Sequence, residues 1–233
     1  MRSRALLCAA VLSAGLASVA SAAVVGTFDM NGRVIVSPTT ITWQDPTQTF
    51  NDRFVISAGT GLYTGVTGLE QINNLSNLPG NQPAGVTISP PYTFIQFLTA
   101  PSLSPLDLTF IFTGHGGSAE CGNPTTFTGQ TCTAPANSPF TFENQDPNGT
   151  HTTATWVMSG ITHDGLYAWS ATFTSQFNIP FQTVFANLAL NGSVQNAYSA
   201  TVTVTSVPEP GTMVLFGLGL SAIGLLKFRK KTS

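Results

Sequence analysis

The chain has 233 residues, of which only 8% are charged, and a formal net charge of −2. That figure hides an uneven distribution: residues 23–206 hold two basic side chains, Arg33 and Arg53, against nine acidic ones, a net of −7, while the other six basic residues sit at the two ends. An acidic body with no basic patch argues against nucleic acid and anionic lipid headgroups as partners. Its wealth of Thr, Phe, Ile, Val and Trp points away from disorder and towards pleated, half-buried strands.

The N-terminus opens with Arg2 and Arg4, continues through an apolar stretch over residues 5–16 and reaches Ala20-Ser21-Ala22. A positive n-region, an apolar h-region and a small-x-small site are the layout of a secretory signal peptide, with cleavage expected between Ala22 and Ala23. The apolar stretch is too short to favour a retained anchor. Cys8 belongs to this stretch, because Leu6 and Leu7 before it are not the small residues a lipidated Cys needs.

Residues 24–29 and 32–36 are expected as strands around a turn at Asn31-Gly32, followed by a short strand at 41–43. Leu69, Ile72, Leu75 and Leu78 recur at spacings of three, which predicts a short helix over 68–78 that Pro79-Gly80 would end. Residues 92–98 and 106–112 alternate as strands, with Pro101 and Pro105 between them. Thr162-His163-Asp164-Gly165 joins two alternating stretches, 152–161 and 166–177, and an Asp-Gly turn in that setting predicts a hairpin. A second short helix is expected over 181–190, between Pro180 and Asn191-Gly192. The final strand, 197–206, puts Tyr198, Ala200, Val202 and Val204 on one face. The fold class is all-β. We expect an antiparallel β-sandwich, jelly-roll-like, with one or two short helices capping the ends of the sheet pair.

Cys121 and Cys132 are the only cysteines of the body, and export makes a disulfide the expectation. With His115 they match no zinc-ligand spacing. Gly114-His115-Gly116-Gly117-Ser118 has the look of an esterase oxyanion loop, but the chain lacks the G-x-S-x-G elbow such enzymes require, so a glycine-rich turn is expected. His151, His163 and Asp164 would form a triad with Ser118 or Ser159 only if the fold gathered them. Asn144-x-Asp146-x-Asn148-Gly149 resembles half of a calcium loop but has Thr155 where the EF-hand needs Glu. Trp43, Trp156 and Trp169 could stack on sugar rings, but Trp156 and Trp169 lie on the two arms of the predicted hairpin, where core packing is expected. No acidic pair is marked out for glycoside hydrolysis. No metal, cofactor or catalytic set is predicted.

The chain ends in Val207-Pro208-Glu209-Pro210-Gly211, an apolar stretch over 212–226, and Lys227, Arg229, Lys230 and Lys231 among the last seven residues. Fifteen residues make roughly 22 Å of helix at 1.5 Å per residue, short for a bilayer core of about 30 Å. The basic cluster fixes that end on the cytoplasmic side and the body outside. The two prolines flanking Glu209 hold an extended backbone suited to a protease groove. Motif, apolar helix and basic tail together resemble the PEP-CTERM sorting signal of Gram-negative bacteria. The resemblance implies recognition by an exosortase, a membrane-embedded cysteine transpeptidase, and covers about the last tenth of the chain.

The expected organisation is therefore a signal peptide over 1–22, with its signal helix, a β-ectodomain over 23–206, and a sorting signal over 207–233 containing a transmembrane helix at 212–226. The expected partners are signal peptidase, exosortase and the membrane, with exopolysaccharide as a further candidate. The expected function is an exported, non-enzymatic envelope or exopolysaccharide-matrix protein with a structural or adhesive role. The alternatives are a carbohydrate-binding module or, more distantly, a glycan-active hydrolase.

Overall fold

The computed structural model describes residues 22–75, 84–133, 135, 137–146 and 150–207. Strand-forming sequence dominates them. In chain order the strands are β1 (Val24–Val36), β2 (Ile41–Gln44), β3 (Arg53–Gly61), β4 (Gly68–Ile72), β5 (Thr87–Gln96), β6 (Leu106–Ile111), β7 (Thr131–Cys132), β8 (Thr141–Asn144), β9 (Thr152–Thr162), β10 (Tyr167–Phe177) and β11 (Val194–Ser206). One α-helix, α1 (Phe181–Asn191), lies between β10 and β11, and a 3₁₀ turn spans Ala119–Gly122.

The ladder runs β10-β11-β1-β3-β4-β5-β6-β9, and β9 pairs back onto β10. Every one of these pairings is antiparallel. The sheet therefore closes on itself as a barrel, which removes the free edges an open sheet would expose. Two strands are shared between neighbours. One side of β9 carries β10 along its length, while the other carries β8 near Thr152–Thr155 and β6 near Met158–Thr162. In the same way β1 pairs with β11 along one side, and with β3 and then β2 along the other.

The all-β antiparallel class matches the sequence expectation, and so do the hairpin at 162–165, the helix and the inward face of β11. The two-sheet division does not: hydrogen bonding runs through one continuous sheet. The expected turn at Asn31-Gly32 is also absent, because β1 passes straight through it. Its inward positions Phe28, Met30, Gly32 and Val34 keep one alternating phase. Gly32 sits there because Tyr198 lies opposite: a Cβ on it would come within 2.9 Å of the ring. The predicted helix over 68–78 begins instead as β4. The spacing of three misled because an inward strand position is filled by a carboxylate: Glu70 and Ile72 are buried and Leu69 is only half-buried. Residues 76–78 lie outside the described residues. β5 begins five residues earlier than expected, at Thr87, with its register broken around Pro90 and Pro91, which have no N–H to give to the ladder.

The helix has a tertiary cap. Pro180 at its N-terminus offers no acceptor side chain, and the free Phe181 N–H donates instead to Asn144 Oδ1 at 3.2 Å. Gly192 ends it in the left-handed conformation at φ 72°, as Asn191-Gly192 suggested. The core is aromatic. Trp156 stacks on Phe173 and Phe94 on Trp169, and Trp43 sits among Phe94, Trp156, Phe173 and Tyr198. Residues Val24–Ser206 form a compact unit containing every buried hydrophobic side chain of the described chain, so this body has the core it needs to fold alone.

Candidate ligand cavity and sorting signal

An eight-strand closed barrel has an interior just wide enough for side chains to fill, or for one small ligand. The two ends of this barrel use that interior differently. At the end where β1 begins and β11 finishes, side chains fill it. Phe28, Tyr63 and Phe97 pack with ring centroids 4.7 to 5.6 Å apart. The buried Glu70 carboxylate accepts the backbone N–H groups of Leu98 and Thr99 and the Thr99 hydroxyl. Trp169 Nε1 donates to the Asp107 carbonyl at 3.0 Å, and Asp107 Oδ2 lies 2.8 Å from His163 Nδ1. Packing is so close that a Cβ on Gly160 would stand 1.8 Å from the Asp107 carbonyl oxygen. In the hairpin turn Asp164 accepts the Thr162 hydroxyl and the Leu166 N–H, and these bonds hold its carboxyl below the usual range.

At the opposite end lies a cavity of about 360 Å³, partly open to solvent. Its apolar wall comes from Val34 and Val36 of β1, Ile41 of β2, Phe142 of β8, Ala154 and Trp156 of β9, Phe177 of β10, and Val184, Phe185 and Leu188 of α1. Its polar contributors are neutral. Ser37 and Thr40 bond to each other across the β1–β2 loop, and Asn196 donates to Ser175 Oγ, which donates in turn to the Ala197 carbonyl. Among the described residues, no acidic, basic or histidine side chain lines it. Three buried donors in this aromatic region have no hydrogen-bond partner: Trp43 Nε1, Trp156 Nε1 and Tyr198 Oη. An unmade buried hydrogen bond costs about 1–3 kcal/mol. Burial also pushes the Tyr198 phenol far above its ordinary pKa.

Cys121 and Cys132 are joined in a disulfide. Closing a loop of that length is worth about 3 kcal/mol in the chain-entropy view. The loop is tied to α1 and β8 by amides: Asn144 Nδ2 donates to Gln130 Oε1, and Gln182 Nε2 donates to Gln130 Oε1 and to the Asn123 carbonyl. This network also accounts for Asn144-x-Asp146. Asn144 is fully buried, and its Oδ1 accepts from Thr152 as well as Phe181, so it is committed to structure. Asp146 is held by Thr150 and by His151 Nδ1 at 2.9 Å, and these bonds lower its carboxyl pKa to about 2. Among the described residues no acid, histidine and cysteine group is arranged to hold a metal.

The glycine-rich string turns after β6, and the N–H groups of its first three residues are engaged. Gly114 N donates to the Ser138 carbonyl, His115 N to Thr141 Oγ1, and Gly116 N to Thr133 Oγ1. These three are not free to bind an oxyanion. His151 and His163 each pair with an aspartate, and neither Ser118 nor Ser159 hydrogen-bonds to a histidine. Trp43, Trp156 and Trp169 are all at most 2% exposed, which removes them as sugar-stacking platforms. The cavity itself had no signature in the sequence: its walls come from eight elements between residues 34 and 196, and only closure of the barrel brings them together.

Ala22 and Ala23 lead directly into β1, and Val207 follows β11 as an exposed residue. Pro208, Glu209, Pro210, Lys227, Arg229, Lys230 and Lys231 lie outside the described residues, as do the expected signal helix and the stretch 212–226. Among the described residues no helix is long and apolar enough to cross a membrane.

The described chain is thus an all-β body over Val24–Ser206. Residues 206–231 match the family model described as the PEP-CTERM protein-sorting motif. The chain carries that motif, which implies exosortase-dependent, membrane-associated sorting of an exported protein in a Gram-negative bacterium. No curated protein and no solved structure matches the chain.

Proposed function

We propose that this is a non-enzymatic protein of the cell envelope or exopolysaccharide matrix, exported by a signal peptide cleaved between Ala22 and Ala23 and processed by exosortase near Glu209. One observation carries the reading: the sorting motif begins at Ser206, the last residue of β11. Removing the tail would therefore cost the barrel no strand and no core residue. The neutral cavity wall supports binding or scaffolding over catalysis. The outward positions of β10 and β11, among them Ser170, Thr172, Ser199 and Thr201, offer hydroxyls to a hydrated matrix.

The sorting step is tested by Glu209→Ala in the native cell. The variant should accumulate as an unprocessed form in the membrane fraction while the parent is shortened. Equal shortening of both proteins would count against exosortase recognition through this motif.

A further inference from the structure

We propose that the cavity beneath α1 is a binding site for an uncharged, mainly hydrocarbon small molecule, such as a long-chain alcohol, ketone or ester. Size supports this first. The cavity measures about 360 Å³, whereas a cavity of about 150 Å³ already admits benzene, and ligand pockets begin at about 300 Å³. The chemistry of the wall then sets the class. Val34, Ile41, Ala154 and Val184 present hydrocarbon, and Phe142 and Trp156 present rings. A carboxylate or phosphate would be desolvated here without a cationic partner, which is heavily unfavourable. A sugar would lose water from many hydroxyls for few replacements. Trp156 is part of the wall, where its ring adds apolar surface.

The helix gives the site its entrance. Only Phe181 and Val184 of α1 are buried, while Phe185 and Leu188 are half-exposed at the cavity. The site lies near Val194 and Asn196, whereas the sorting motif begins at the other end of the same strand, at Ser206.

The test uses the body, residues 23–206, with the neutral fluorescent probe N-phenyl-1-naphthylamine. Saturable binding at one site per chain is expected, reversed by dodecanol and not by dodecanoate or glucose. Leu188→Trp and Ala154→Phe place bulk at the entrance and in the wall. Each should weaken the probe about tenfold or more, with near-ultraviolet circular dichroism showing that the variant is folded. Absence of saturable binding, displacement by dodecanoate as readily as by dodecanol, or unchanged affinity in a folded variant would each overturn the proposal. Should one variant not fold, the other decides, and the displacement result on the parent stands by itself.

Discussion

The two ends of the barrel are built from similar residues and reach opposite outcomes. Where β11 finishes, Phe28, Tyr63 and Phe97 interlock, and the buried carboxylate of Glu70 is satisfied by backbone and hydroxyl donors. Where β11 begins, Phe142, Trp156 and Phe177 line a cavity instead of filling it. Aromatic content alone therefore does not tell a plug from a pocket. The difference lies in what covers each end. Tight turns fold side chains inward at one, and a short helix held mainly by Phe181 and Val184 spans the other.

The sharpest way to break this contrast is to truncate one side chain at each end. Phe97→Ala removes a buried ring from a filled end and should cost about 3–5 kcal/mol. Leu188→Ala removes a half-exposed side chain that already borders empty space, and should cost well under that. Urea denaturation of both variants measures it, and equal losses would mean that the ends are packed alike.

A smaller effect is expected at the joint between helix and barrel. Asn144→Ala strips the acceptor from Phe181 N–H and Thr152 and the donor from Gln130. Its cost should be about 2 kcal/mol or more, read as a lowered urea midpoint. A neutral result would show that α1 is held by its apolar face alone.

The smallest effect is a pH dependence. Asp146 and Asp164 have carboxyl pKa values held below the ordinary 3.8, to about 2 for Asp146. A carboxylate depressed in the folded state stabilises the fold above its unfolded pKa, and that stability is lost as pH falls through the folded one. Thermal melts should therefore lose a small increment between about pH 4 and pH 2. Asp164→Asn should flatten part of it, because Thr162 and Leu166 then bond a group that does not titrate. An unchanged slope in that variant would assign the dependence elsewhere.

The sequence made some of this legible. Alternation of Tyr198, Ala200, Val202 and Val204 declared the last strand and its inward face, and Asp164-Gly165 declared the hairpin. Pro180 and Asn191-Gly192 marked the helix ends. It failed where an inward position was not hydrophobic: Glu70 disguised β4 as a helix, and Gly32 disguised the middle of β1 as a turn. Closure of the barrel rests on β9 pairing with three strands, a long-range choice that no local pattern encodes. The cavity depends on that closure and was invisible for the same reason. The sorting signal was readable because its three parts are contiguous, as recognition by an enzyme acting on an extended peptide requires.

That signal and the complete barrel before it make one joint claim: the body is finished at Ser206 and the remainder is a handle. The most direct test is the intact mass of the protein isolated from its native cell. The account predicts an N-terminus at Ala23 and a C-terminus close to the Pro208-Glu209-Pro210 motif, with the apolar stretch and Lys227, Arg229, Lys230 and Lys231 gone. A mature form that still carries residues 212–233 would contradict it.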